Sequence, residues 1–134
     1  MTDYLLDTNH VSRLLEGEGR LLSQLQAAEA GGDRFGITPT ILGELYFAVY
    51  ASRRQAENLR RLSGLAAALN VYPFDAGAAE EFGRIQAEQR LKGRPIPPLD
   101  AQIAAVARRQ GLTVLTADRH FDFVDNLPVA NWLV

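Results

Sequence analysis

Residues 98–118 read PLDAQIAAVARRQGLTVLTAD, and this run decides the fold class. Ala101 to Gln110 form an alanine-rich helical stretch with Ile103, Ala104 and Ala107 on one stripe. Gly111 supplies the stop, because glycine adopts the left-handed conformation that closes a helix without a steric penalty. Leu112 to Leu115 follow as a short apolar and β-branched run without polar alternation, the pattern of a strand covered on both faces. A helix, a glycine and a buried strand make half of an α/β unit, and an aspartate stands near each end of this one: Asp100 and Asp118.

The same alternation recurs on both sides. Tyr4 to Leu6 reads as a buried first strand, with Val11, Leu14 and Leu15 marking a short helix that ends at Gly17 and Gly19. Leu21, Leu22, Leu25 and Ala28 line a second helix closing at Gly31 and Gly32, and Phe35 to Ile37 is a short strand. Pro39 suits the first turn of a helix carrying Ile41, Leu45, Ala48 and Val49. Leu59, Leu62, Leu65 and Leu69 line another helix. Val71 to Phe74 reads as a strand, and Asp75 as the cap of a helix through Phe82 and Ile85 toward Lys92. Gly93 to Pro98 reads as an irregular loop, and Pro128 to Val134 as a last strand. No repeat, low-complexity tract or linker interrupts the pattern, so residues 1–134 are expected to be one α/β domain with a mostly parallel sheet.

The 134 residues are 47% hydrophobic, enough for a core without staples. There is no cysteine, which excludes disulfides, thiolate metal sites and a cysteine nucleophile. Lys92 is the single lysine, against thirteen arginines, which removes the phosphate-binding lysine of a P-loop. An aspartate interrupts the amino-terminal apolar run, so neither a signal peptide nor a transmembrane helix is expected, and a cytoplasmic location is.

In a parallel α/β sheet the carboxyl ends of the strands share one edge, so acids that follow strands converge there. Asp7 ends the first strand, Asp118 follows the strand ending at Leu115, and Asp100 opens the helix leading into that strand. Glu44 lies inside a helix, sharing a face with Ile41, Phe47 and Ala48, and Asp100 precedes Ile103, Ala104 and Ala107 on one stripe. An ionised carboxylate on an apolar face needs a cation or strong donors. Singly, Asp7, Asp100 and Asp118 are ordinary helix caps and Glu44 a solvated side chain; together they read as one acidic site. Glu16, Glu18, Glu57, Glu80 and Glu81 read as solvated faces.

These residues carry a resemblance. The pieces are Leu5-Leu6-Asp7-Thr8-Asn9; Glu44 within Ile41-Leu42-Gly43-Glu44-Leu45; Pro98-Leu99-Asp100-Ala101-Gln102-Ile103-Ala104-Ala105; and Leu115-Thr116-Ala117-Asp118-Arg119-His120-Phe121. In this order and spacing the chain resembles the PIN-domain ribonucleases, in particular the VapC toxins of bacterial toxin–antitoxin pairs, over nearly its whole length. The resemblance implies a three-layer α/β sandwich with an acidic cleft at one sheet edge. It also implies that Asp7, Glu44, Asp100 and Asp118 match the acidic metal-binding quartet, with Asn9 and Thr116 as the polar residues beside it. RNA as substrate, a VapB-like antitoxin as partner and a homodimer are implied with it.

Carboxylates without histidine or cysteine are hard oxygen ligands, suited to Mg²⁺ or alternatively Mn²⁺. Asp7 and Asp100 are expected as principal ligands, with Glu44 and Asp118 completing the set directly or through water. Setting the four acids aside leaves fourteen cations against twelve anions, a net +2. Arg53, Arg54, Arg60, Arg61, Arg84, Arg90, Lys92 and Arg94 are therefore candidate phosphate contacts. The rival readings are a metal-independent nuclease using His10 and His120 as base and acid, a phosphoaspartyl domain built on Asp7, and a catalytically silent interaction module. Leu42, Leu45, Tyr46, Phe47, Val49 and Tyr50 offer more apolar surface than one core face requires, which the resemblance ties to a homodimer contact and a groove for an antitoxin segment.

Overall fold

In a computed structural model describing residues 1–133, strands β1 (Asp3–Leu6), β2 (Arg34–Ile37), β3 (Asn70–Val71), β4 (Thr113–Leu115) and β5 (Val129–Ala130) form one sheet. The helices are α1 (Thr8–Leu15), α2 (Gly19–Ala30), α3 (Pro39–Tyr50), α4 (Gln55–Ala68), α5 (Ala76–Leu91) and α6 (Pro98–Gln110), with a 3₁₀ helix at Arg119–Phe123. The strand order is β3-β2-β1-β4-β5 and every pair is parallel, with Leu5 opposite both Gly36 and Val114. The chain steps outward from β1 to β3, then returns to the other side of β1 with β4. The helices pack as two groups, α1 to α4 and α5 with α6, which the right-handed rule for parallel crossovers assigns to opposite faces of the sheet. A three-layer α/β sandwich results.

The centre of the sheet holds Leu5, Leu6, Phe35, Ile37, Val114 and Leu115, all essentially buried. Ala101, Ala104, Ala105 and Ala107 are likewise buried, so α6 is alanine-rich because it is covered on several sides and must approach its neighbours closely. Gly111 closes it at φ 70°. Gly36 is required by close approach: a Cβ there would run into the Tyr72 ring and the Asn70 carbonyl.

Several boundaries differ from those expected. Helix α6 begins at Pro98, within the stretch read as loop, with proline as its first residue, where its missing N–H costs nothing. Strand β3 is Asn70–Val71 rather than Val71–Phe74: Tyr72 still donates its N–H to Ile37 O at 2.9 Å, but Pro73 has none to continue the ladder. Strand β5 is two residues long rather than Pro128–Val134. Trp132 packs edge-on against Tyr4 and Phe35, which stack at 5.1 Å, while Val134 lies outside the described residues. Nor is Glu81 a solvated face residue; Arg108 Nη2 binds it at 2.6 Å and Glu88 at 2.8 Å, tying α6 to α5. Among the described residues no helix is long and apolar enough to cross a membrane.

Candidate active site

The reversal of chain direction makes the β1–β4 boundary a topological switch point, where a crevice opens beyond the carboxyl ends of the strands. Asp7 leaves β1 there and caps α1: its Oδ1 accepts the Thr8 N–H at 2.8 Å and its Oδ2 accepts the Thr116 hydroxyl at 2.7 Å. Only 7% of Asp7 is exposed. Thr116, just beyond β4, also accepts the Asp118 N–H at 2.9 Å, so a single hydroxyl joins the two strand ends. Asn9 Nδ2 stands 3.5 Å from both Asp7 Oδ2 and Thr116 Oγ1, while its Oδ1 accepts the Ala117 N–H at 3.2 Å. Asp118 caps the 3₁₀ helix through the His120 N–H at 2.9 Å.

Asp100 is not a cap. It lies in the first turn of α6, whose cap position is Pro97, and no side-chain capping bond is made. Its Oδ2 instead lies 3.0 Å from His120 Nδ1, which also approaches Asp118 Oδ1 at 3.1 Å. One donor atom from each of Asp100, Asp118 and His120 falls within 4.8 Å of the others, close enough that the three could hold one metal ion. Asp7 is linked to this trio through Thr116. Glu44 is exposed on α3 and accepts a weak 3.4 Å contact from the hydroxyl of Thr8, the neighbour of Asp7. It therefore does not point into the core as its helical neighbours suggested. Phe47, on the same side, is 75% exposed, and the buried stripe of α3 is Ile41, Leu45 and Val49.

Electrostatics reflect the crowding. Burial pushes the Asp100 carboxyl above its usual range; the His120 hydrogen bond opposes this, and the charges of Asp118 and Asp7 reinforce it. His120 is raised in turn, chiefly by its hydrogen bond to Asp100 and further by the charges of Asp118 and Asp100. Sequence reasoning placed His120 only in a rival mechanism, although its position two residues after Asp118, at a strand end, was the available signal. Thr8 had no signal beyond adjacency to Asp7.

His10 is not positioned as a catalytic base. It is fully buried, its Nδ1 lies 2.8 Å from Asn9 Oδ1, and its Nε2 accepts the Trp132 N–H at 3.1 Å, which together define a neutral tautomer with hydrogen on Nδ1. Of the candidate phosphate contacts, Arg54 and Arg61 pair with Glu57, Arg84 with Glu80 and Glu81, and Lys92 with Asp125. Arg94 lies over the Phe123 ring at 4.3 Å. Arg119, which was not singled out, is 90% exposed beside Asp118.

Residues 4–127 match the model of the PIN domain family. The chain is 30% identical to the tRNA(fMet)-specific endonuclease VapC of Shigella flexneri, the alignment covering 98% of this chain and 99% of the relative. It is 28% identical to ribonuclease VapC2 of Haemophilus influenzae, with 99% and 100% covered. It also superposes on the structure of VapBC2 from Rickettsia felis bound to a DNA fragment from its promoter (TM-score 0.89, 25% identity, 98% and 99% covered). A second match is DNA-bound VapBC from Salmonella typhimurium, with a TM-score of 0.88, 28% identity and the same coverage.

Proposed function

The chain belongs to the PIN domain family, among the VapC ribonucleases, and from that premise we propose that it is a divalent-metal-dependent endoribonuclease, the toxin of a toxin–antitoxin pair. Its substrate is RNA and its partner a VapB-like antitoxin, as in the VapBC assemblies it resembles. The observation that carries the chemistry is the meeting of Asp7, Asp100 and Asp118 at the switch-point crevice, joined by Thr116 and His120.

The donor set fits Mg²⁺ or Mn²⁺: carboxylates dominate, and neither thiolate nor a second accessible imidazole is present among the described residues. Asp7 and Asp100 are assigned as principal ligands, with Glu44 and Asp118 completing the set directly or through water. A bound ion supplies positive charge for phosphodiester oxygens and acidifies water for attack. The protein's own part is positioning. The Thr116 hydroxyl and the Thr8 N–H fix the Asp7 carboxylate, and Asn9 buttresses both Asp7 and Thr116. Asp100 sits at the amino end of α6, where the helix dipole favours negative charge. Arg53, Arg60, Arg90 and Arg94 are left as phosphate contacts, having no carboxylate within 4 Å among the described residues.

The exposed side of α3, with Phe47 and Tyr50, and the adjoining groove lined by Leu15, Leu45, Ala48 and Val49 are assigned to homodimer and antitoxin contacts. The test of activity is cleavage of total RNA by the purified chain with EDTA and with Mg²⁺ or Mn²⁺. Cleavage is expected only with the ion, and Asp7→Asn and Asp100→Asn should each reduce it by orders of magnitude. Undiminished cleavage in EDTA would remove the proposal.

A further inference from the structure

We infer that His120 Nδ1 is itself a ligand of the divalent ion, completing a mixed nitrogen–oxygen set with Asp100 and Asp118 that favours first-row ions such as Mn²⁺ over Mg²⁺. The inference rests on the metal-dependent reading of the cleft and specifies its ion.

Two donor spacings support it. Nδ1 lies 3.0 Å from Asp100 Oδ2 and 3.1 Å from Asp118 Oδ1. Adjacent ligands of an octahedral ion with bonds of about 2.1 Å are separated by roughly 3.0 Å, the edge of the octahedron. Both spacings therefore match neighbouring vertices, and all three donor atoms lie within 4.8 Å of one another. The backbone already holds two of its members in relation: Asp118 caps the 3₁₀ helix by accepting the His120 N–H at 2.9 Å, so the carboxylate and the imidazole share one rigid turn. Asp100 arrives from the first turn of α6 without any capping bond to satisfy.

The choice of imidazole is unambiguous. The chain has two histidines, and the other, His10, is fully buried with both ring nitrogens engaged. His120 is about half exposed, so its ring can reorient without disturbing the core. Nitrogen donation matters because Mg²⁺ strongly prefers oxygen and gives up water reluctantly, whereas first-row transition ions accept imidazole readily. An all-carboxylate cleft would show little such discrimination. The competing account keeps His120 as a hydrogen-bond donor bridging the two carboxylates, in which case it occupies the place of the ion and opposes its binding.

The experiment uses EDTA-stripped full-length protein as parent, His120→Ala and Asp100→Asn, each confirmed folded by circular dichroism. Mn²⁺ binding is followed by loss of the free-ion electron paramagnetic resonance signal, Mg²⁺ binding by calorimetry, and nitrogen ligation by ¹⁴N coupling in pulsed resonance of the Mn²⁺ complex. The parent should bind Mn²⁺ more tightly than Mg²⁺ and show ¹⁴N coupling. His120→Ala should lose that coupling and weaken Mn²⁺ binding by about tenfold or more while moving Mg²⁺ much less, so that the preference collapses. Absence of ¹⁴N coupling in the parent, or an equal change or a tightening for both ions in His120→Ala, overturns the inference. Asp100→Asn separates the two levels. If it abolishes binding while His120→Ala is silent, only the role of His120 falls; if both ions still bind it as they bind the parent, the acidic-cleft reading falls as well.

Discussion

Acidification should destabilise this fold through His10. Burial without a carboxylate partner depresses its pKa from 6.5 to about 4, because both ring nitrogens are already committed to Asn9 and Trp132 and the charged form has no water. The unfolded chain takes up a proton as pH falls through 6.5, while the native chain resists until about 4. The stabilisation is therefore present above the unfolded value and lost as pH falls toward the folded one. A shift of roughly 2.5 units at about 1.4 kcal/mol each corresponds to about 3 kcal/mol in total, of which about 2 kcal/mol is lost between about pH 7 and about pH 5. The assay is urea unfolding of parent and His10→Gln in EDTA at those two pH values. His120 and Asp100, both with raised pKa values, titrate alike in the two proteins, so the difference between their losses isolates His10. The variant starts less stable, having lost a packed ring, but should lose about 2 kcal/mol less on acidification. Equal losses in the two proteins, within about 0.5 kcal/mol, would refute the assignment of His10 as a neutral buried group.

Arg108→Met should cost about 2–3 kcal/mol by urea unfolding, because it leaves Glu81 and Glu88 facing one another at a mostly buried α5–α6 contact, yet specific cleavage activity per folded molecule should not change. Thr116→Val removes the hydroxyl that binds Asp7 at 2.7 Å and receives the Asp118 N–H. Its kcat on RNA should fall roughly 10- to 100-fold, with weaker ion binding measured by calorimetry. Phe47→Asp, at a side chain 75% exposed, should leave the unfolding free energy within about 0.5 kcal/mol but shift sedimentation toward the monomer.

The positions of the acids were legible because strand ends and helix starts can be read from periodicity, and a parallel sheet delivers them to one edge. Glu44 was misplaced for a definable reason. Helix α3 is apolar on two sides, Ile41, Leu45 and Val49 toward the core and Phe47 with Tyr50 outward, so hydrophobicity alone does not set its phase. The lengths of β3 and β5 follow from partners rather than from propensity: β3 ends where Pro73 lacks an N–H, and β5 ends where Trp132 turns its N–H to His10. His120 required the third dimension, since its contact with Asp100 spans a helix, a strand and a turn that no local pattern encodes.

Cap and ligand are opposing readings of the aspartates in the sequence, but one carboxylate can serve as both: Asp118 Oδ1 accepts the His120 N–H and also faces His120 Nδ1. Asp7 spends Oδ1 on the Thr8 N–H and presents Oδ2 to Thr116, and Asp118 caps through Oδ1. Asp7→Asn should therefore melt within about 1 kcal/mol of the parent in EDTA, since asparagine caps as well as aspartate, while losing the stabilisation by Mg²⁺ that the metal-site proposal expects of the parent. Asp100 has no cap to lose, and its raised pKa fixes the sign of its effect. Its contribution is present below the unfolded value of about 3.8 and lost as pH rises through the folded one, so at neutral pH the buried charge opposes folding. Asp100→Asn removes that charge and should melt no lower than the parent without the ion, and lower than the parent with it. A large fall in EDTA, together with an undiminished response to Mg²⁺, would make Asp100 a structural residue and leave the cleft without its central ligand.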